Sequence, residues 1–354
     1  MPTTDYAHHV LDTDIPVFKP LPGVFKKREL SEILYSLEKG EIPGKYMYFN
    51  KGIDTWKARS VNKIEEVGAF KFNSIYSKEY EMINSNLNLV LGAASDKYNI
   101  NVVDIGPGTG YPVFPILSYL QEKKKLDKYI TIDIVEDLCD LAIENLRSTN
   151  TLKDMVVRKY VHDFEDGHFA DLMLKERKIG TVNLFIFIGA TLGNMVDRHR
   201  ALANIRDSMT EGDMLWVSIP LGINTVKVVD MFAELEINSP RYFELCSLFT
   251  SSLVSLGLLD WSEYGKIVVK EVDGFGLLKY DFEVKKPFFI EFPEIKNLDK
   301  PVKLKYQEGE KITLLRQKNY ENQDLVKEFR ETGFKIKMLN VSDDYRRGLV
   351  LATV

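Results

Sequence analysis

Asn101-Val102-Val103-Asp104-Ile105-Gly106-Pro107-Gly108-Thr109-Gly110 is an apolar, β-branched run that ends in an acid and breaks into a glycine-rich turn. Residues 111–120 then carry a helical pattern, so the stretch reads strand–turn–helix. Gly106, Gly108 and Gly110 leave no Cβ between backbone and ligand and permit the positive φ that a tight turn requires. The helix that begins there offers free N–H groups and the positive end of its dipole to a polar or anionic group. Asp104 has two readings, contact with the ligand or an anchor for the turn through backbone hydrogen bonds.

A glycine turn of this kind is shared by many nucleotide-binding folds. Two neighbours narrow it. Where a dinucleotide fold wants a third small residue stands Tyr111, too large for close pyrophosphate packing. About twenty residues on, Tyr129-Ile130-Thr131-Ile132-Asp133 is a second strand ending in an acid, placed to accept from ribose hydroxyls. That suits S-adenosylmethionine as well as NAD, and the combination points to a methyltransferase. The alternative is a structural turn in another α/β domain.

The α/β alternation continues downstream. Residues 136–148 form a helix, 155–161 a third strand that runs into His162-Asp163-Phe164, and 182–188 a fourth. The fourth is almost purely apolar, as a strand covered on both faces should be. It ends in Gly189-Ala190-Thr191-Leu192-Gly193-Asn194. A helix over 197–209 and a fifth strand over 214–220 follow. A last helix near 323–332 and an antiparallel pair over 333–341 and 348–354 close a seven-stranded sheet. Upstream, 28–39 has a helical apolar stripe and 74–98 a helix leading into the glycine-turn strand, while 1–22 reads as an extended arm. Between the fifth strand and the last helix lie helices around 225–257 and strands near 266–272, 277–284 and 303–306.

The expected fold is therefore α/β, a Rossmann-like class I methyltransferase sheet with a second, smaller α+β substrate domain. Residues 70–221 plus 318–354 would hold the cofactor, and 1–69 plus 222–317 the substrate. Gly106, Asp133, Asp163 and Asn194 all fall beyond the carboxyl ends of strands, where such sheets bind ligands.

Composition excludes several other classes. The 354 residues include Cys139 and Cys246 alone, too few for a disulfide framework or a zinc site. The His residues at 8, 9, 162, 168 and 199 have no ligand spacing, so no metal is expected. No run approaches the roughly 18–20 apolar residues of a membrane span. The first 19 residues have no basic segment followed by an apolar one, so a cytoplasmic protein is expected. With a formal charge of −5 and no basic block, a small-molecule substrate is favoured over nucleic acid.

The segment Lys45-Tyr46-Met47-Tyr48-Phe49-Asn50-Lys51-Gly52-Ile53-Asp54-Thr55-Trp56 is dense in aromatics. It is either a satellite core or the wall of a pocket for a substrate or sulfonium, since aromatic faces attract cations. For Asn194 the plain alternative to a ligand contact is a helix N-cap.

From about residue 43 onward the sequence resembles the histidine N-α-methyltransferases of ergothioneine biosynthesis, a family that includes fungal N-methyltransferases of prenylated tryptophan. The resemblance rests on Lys45-Tyr46-Met47-Tyr48, the Asp104 turn, Asp133, Asp163-Phe164, the 189–194 loop, and Gly309-Glu310-Lys311-Ile312 leading to Tyr320. It implies that the 106–110 turn holds the methionine part of S-adenosylmethionine and Asp133 its ribose. Asp163 would accept from the adenine N6, with the Phe164 backbone over the ring. The Gly189 carbonyl and Asn194 side chain would hold the amino end of the substrate, with Tyr48 nearby. The family reads imidazole with a Glu and a Ser on the returning strand, and those positions here are Leu315 and Gln317. Its Tyr-Tyr pair ahead of Thr-Arg-Thr-Glu is missing, with Phe70, Phe72 and Tyr76 nearest. Its carboxylate-binding tyrosine after strand five corresponds to Tyr242 or is replaced by Phe232.

The chemistry this implies is N-methyl transfer to a small amine or amino acid other than histidine. No dedicated base is assigned. The alternatives are a protein that consumes the cofactor in another reaction, or a binding module of the same fold.

Overall fold

The computed structural model describes residues 15–64, 74–149, 155–222, 224–237, 239–272, 276–294 and 300–354. In chain order the elements open with β1 (Val17–Phe18), α1 (Lys27–Leu37), a 3-10 turn (Gly44–Tyr48), α2 (Lys51–Ile64) and α3 (Ser74–Lys97). Then follow β2 (Asn99–Ile105), a 3-10 turn (Tyr111–Val113), α4 (Phe114–Glu122), β3 (Leu126–Asp133), α5 (Glu136–Ser148) and β4 (Val156–Val161). Next are α6 (Ala170–Glu176), β5 (Thr181–Phe187), α7 (Thr191–Asn194), α8 (Arg198–Asp207), β6 (Met214–Pro220), α9 (Asn224–Glu234), α10 (Pro240–Ser255) and α11 (Trp261–Tyr264). The remaining elements are β7 (Gly265–Val272), β8 (Leu277–Val284), β9 (Phe288–Phe292), β10 (Val302–Tyr306), β11 (Lys311–Lys318), α12 (Asn322–Glu331), β12 (Lys335–Val341) and β13 (Arg347–Thr353).

Seven strands form one sheet in the order β12-β13-β6-β5-β2-β3-β4. The β2 to β6 strands run parallel, and β13 lies antiparallel to both β6 and β12. This is the expected class I methyltransferase sheet. Its two faces can be read from side-chain alternation. Val103, Ile105, Ile130, Ile132, Phe185 and Phe187 pack on one side against Leu202 and Ile205 of α8 and Leu325 and Phe329 of α12. Ile100, Val102, Tyr129, Leu184 and Ile186 pack on the other against α3 and α4. Every residue of β5 and β6 is buried, which explains why their sequences are apolar without alternation. Each fully buried large side chain, Trp216 and Phe185 among them, contributes about 1.5–3 kcal/mol.

The rest of the chain has its own core. Leu30, Ile33, Leu34 and Leu37 of α1, Tyr46, Met47, and Cys246 and Leu253 of α10 pack with β7, β8, β9 and β11. Its strands form two three-stranded sheets, β1-β9-β10 and β11-β8-β7. The spacing predicts β7, β8 and β10 closely, but β9 is not anticipated. Its five residues, Phe-Phe-Ile-Glu-Phe, are too short and too uniformly apolar to show a period. The helix expected from residue 111 starts as a 3-10 turn, because Pro112 and Pro115 lack the N–H groups that would close an α-helical turn there.

One strand ties both parts together. Thr313 on β11 donates to Gly40 O and accepts from Ile42 N, each at 2.8 Å. Two residues beyond its far end Tyr320 N donates to the O of Pro220, the last residue of β6, at 3.0 Å. Phe70 and Phe72 lie outside the described residues, as does most of the N-terminal arm. Among the described residues no helix is long and apolar enough to cross a membrane.

Candidate active site

The chain proceeds from β2 outward through β3 and β4, then returns to place β5 on the other side of β2. The crevice above that reversal is where open α/β sheets bind ligands. Here it opens into a cavity of about 500 Å³. Gly106 and Gly108 form part of its wall at the end of β2, Asp133 at the end of β3, and Gly189 and Asn194 after β5. Tyr48, Phe164, Leu315 and Gln317 complete the expected residues that the structure brings together there.

The glycine turn is held from several sides. Gly106 and Gly108 have φ of +62° and +54°, in the left-handed region that favours glycine. Gly106 N donates to Ile132 O at 2.9 Å, and Asn145 Nδ2 donates to Thr109 O at 2.9 Å. Gly110 stands outside the wall, and both its φ of +75° and its packing call for glycine. A Cβ on it would lie 2.9 Å from Ala142 O of α5.

The three acids differ sharply. Asp133 lines the cavity, accepts from Val135 N at 2.8 Å, and is pushed by burial up to about 7. Asp104 is buried beneath the turn, where the Tyr129 hydroxyl donates to it at 2.8 Å. Burial raises its carboxyl to about 7 as well, while Tyr129 opposes the rise. Asp104 is therefore a support for the turn rather than part of the cavity wall. Asp163 is also outside the wall. Lys45 Nζ donates to its Oδ2 at 2.8 Å and Glu165 N to its Oδ1 at 3.1 Å, so both oxygens already have donors. Beside it Phe164 faces the cavity.

The 189–194 loop shows why its glycines and threonine occur in that spacing. Gly189 has φ of +105°, and the Thr191 side chain lies against Gly106, 3.3 Å from where a Cβ would be. A Cβ on Gly193 would lie 2.4 Å from Lys318 O, so β11 can approach this loop only if the residue is glycine. Asn194 ends α7 and caps nothing. The cap of α8 is Asp197, whose Oδ1 accepts from Arg200 N at 2.9 Å. Asn194 Nδ2 donates to the Tyr48 hydroxyl at 3.2 Å, while its buried Oδ1 has no hydrogen-bond partner among the described residues.

The aromatic segment divides by face. Tyr46 is buried in the core and donates to Glu32 Oε2 at 2.8 Å, whereas Tyr48 and Trp56 line the cavity. On β11, Leu315 and Gln317 point inward, and Arg316 between them pairs outward with Glu41 at 3.0 Å. A bulge between Thr313 and Leu315 sets that register. Tyr242 does not reach the site. Its hydroxyl accepts from Ile267 N at 2.7 Å inside the core, and neither it nor Phe232 lines the cavity. Val228, Leu248 and Phe249 form that wall instead.

Sequence reading misses Asn319, Arg346 and Arg347, which also line the cavity. Asn319 continues the inward alternation of Leu315 and Gln317. Arg346 ends the turn from β12 and Arg347 opens β13, which as an antiparallel last strand starts at the ligand edge.

The residues fit an adenosyl-sulfonium ligand. A glycine cradle, an acid with ribose reach and an aromatic wall face one cavity, and together with the sheet they define a class I methyltransferase. Residues 27–233, more than half of the 354-residue chain, match the family of histidine-specific, S-adenosylmethionine-dependent methyltransferases. The chain belongs to that family, and S-adenosylmethionine is its cofactor. No curated protein matches it. Similar solved structures include an S-adenosylmethionine-dependent methyltransferase from Clostridium acetobutylicum, at 10% identity over 79% of this chain and 92% of that one, with a TM-score of 0.40. The PH0226 protein of Pyrococcus horikoshii is 15% identical over 79% and 94% of the two chains, with a TM-score of 0.38. The glycopeptide N-methyltransferase MtfA is 11% identical over 76% and 86%, with a TM-score of 0.35.

Proposed function

We propose that the protein methylates the amino nitrogen of a small amine or amino acid other than histidine. The observation that carries this is Asn194 Oδ1, a buried acceptor without a hydrogen-bond partner among the described residues, in the wall of the cavity that the glycine turn also lines. A buried acceptor of this kind costs about 1–3 kcal/mol until something donates to it. An amine bound at this site supplies that donor, and the Gly189 carbonyl supplies a second acceptor beside it.

S-adenosylmethionine supplies an electrophilic methyl group when bound. The protein supplies alignment, which contributes up to roughly 7–11 kcal/mol in well-ordered cases. Two neutral acceptors hold the N–H bonds of the amine and leave its lone pair directed at the methyl. Neither acceptor carries a full charge, so the inert ammonium gains less here than it would beside a carboxylate. Tyr48 fixes the Asn194 amide through its hydroxyl. The cavity of about 500 Å³ and the absence of a basic block in the sequence favour a small acceptor over nucleic acid.

Leu315 supports the exclusion of histidine. It is 2% exposed in the cavity wall and has nothing to accept an imidazole N–H. Losing a charge-assisted partner at this point costs about 1.5–3 kcal/mol, roughly ten- to a hundredfold in kcat/KM. Incubation with methyl-labelled cofactor and a panel of amino acids and amines tests both parts. Label on an amine nitrogen supports the function, efficient trimethylation of histidine refutes the specificity, and methylthioadenosine without methylated product refutes methyl transfer.

A further inference from the structure

Three amide side chains line the cavity, and they are not oriented alike. Asn194 donates from Nδ2 to the Tyr48 hydroxyl at 3.2 Å, and Asn319 from Nδ2 to Thr225 Oγ1 at 3.0 Å. Gln317 is reversed, with its Oε1 accepting from the Tyr280 hydroxyl at 3.1 Å. Tyr280 is 3% exposed, its ring tilted against Phe249 at 4.5 Å and edge-on to Phe232 at 5.9 Å. Its side chain is diagonal to Gln317 across the β8–β11 pair, where Tyr280 faces Leu315 and Gln317 faces Leu278.

The direction of that bond follows from counting protons. A tyrosine hydroxyl has one to give. Gln317 is the sole hydrogen-bond partner of this hydroxyl among the described residues, so the proton goes to Oε1 and holds the amide in place. Burial raises the Tyr280 pKa, so the hydroxyl keeps its proton. Gln317 Nε2 is then left with its two N–H bonds at a wall that Leu315, Phe249, Leu248 and Val228 make apolar in one part of the cavity and Asn319, Asp344, Arg346 and Arg347 make polar in another.

We infer that Gln317, oriented by Tyr280, is a specificity residue that selects a substrate whose far end carries a neutral hydrogen-bond acceptor on an otherwise apolar side chain. A ring nitrogen, an ether or a carbonyl oxygen meets the description. A group that only donates is matched less well, because Tyr280 already donates to one lone pair of Gln317 Oε1 while both N–H bonds of Nε2 are still to be given. This rests on the proposed function, in which Asn194 takes the amino end of the same molecule, and it adds the chemistry of the opposite end. Tyr280 is a positioning residue, acting on the substrate only through Gln317.

The test compares isosteres that differ at one atom. Phenylalanine and 3-pyridylalanine have nearly the same shape, but only the second presents a ring acceptor in mildly alkaline buffer. Binding of each to protein saturated with S-adenosylhomocysteine, measured by calorimetry, reads the pocket without requiring turnover. The pyridyl compound should bind about five- to tenfold more tightly, the value of one net hydrogen bond. Gln317→Leu should bring that ratio to about one. Gln317→Glu presents an acceptor in place of the donor and should take the ratio below one. Tyr280→Phe, which frees the amide to rotate, should lower the ratio toward one. Equal binding by the unmodified protein, no binding of either compound, or a ratio that Gln317→Leu leaves unmoved overturns the inference. If the ratio behaves as expected but no isostere is ever methylated on nitrogen, the inference stands and the proposed function falls.

Discussion

Asp133 and Asp104 carry opposite consequences of the same burial. Each holds a proton in the folded chain up to about pH 7, whereas an unfolded Asp loses it near pH 4. Between those values the folded state binds more protons, so the unliganded protein should lose stability as pH rises through that window. Cofactor affinity should run the other way, since ribose hydroxyls donate best to an ionised Asp133. Thermal melts and calorimetry across the window check both slopes, and Asp133→Asn should abolish the rise in affinity while leaving the part of the stability slope that belongs to Asp104. Asp133→Ala should weaken cofactor binding by about 1.5–3 kcal/mol without unfolding the chain. Asn194→Ala should lower kcat about tenfold to a hundredfold with cofactor affinity and melting temperature nearly unchanged, because the cap of α8 belongs to Asp197. A variant that melts early at full activity would return Asn194 to a structural role.

At the level of elements, the 189–194 loop and β11 meet through backbone rather than side chains. Gly193→Ala places a methyl 2.4 Å from Lys318 O and should cost about 1–3 kcal/mol. It should also raise the KM for the acceptor more than the affinity for cofactor suffers, since Gln317 and Asn319 lie on the displaced strand. Urea titration and steady-state kinetics on the one variant separate the two effects. The parallel strands were readable because each alternates with a helix, and because β5 is apolar over most of its length while β2 and β3 reach an acid at or beside their last residue after a β-branched run. The register of β11 was readable from the residues around it, but its bulge was not, since a one-residue insertion leaves no trace in the apolar pattern. Nor does any local signal show that Asp163 faces Lys45, or that the Tyr242 hydroxyl is taken by Ile267, because both depend on neighbours more than twenty residues away. Asn319 was within reach of the alternation that identified Leu315 and Gln317.

Across the whole molecule, Lys45 joins parts of the chain that are far apart in sequence. Its ammonium bridges Glu32 of α1 at 2.7 Å and Asp163 after β4 at 2.8 Å, with its own side chain 13% exposed. Burial alone would lower its pKa, but the two carboxylates outweigh that and raise it. Lys45→Met removes the one cation between two acids and should cost about 1–3 kcal/mol, partly restored by Asp163→Asn in the double variant. Added salt should narrow the gap between the single variant and the parent, because it screens repulsion in the one and attraction in the other. The order of strands carries a consequence for synthesis. The fully buried β6 is completed early, yet its outer neighbour β13 is translated more than a hundred residues later. Until then β6 has an open edge of the kind that recruits other chains. A nascent or truncated chain ending before residue 335 should therefore aggregate or remain bound to a chaperone, and adding a peptide of residues 335–354 in trans should return it to solution.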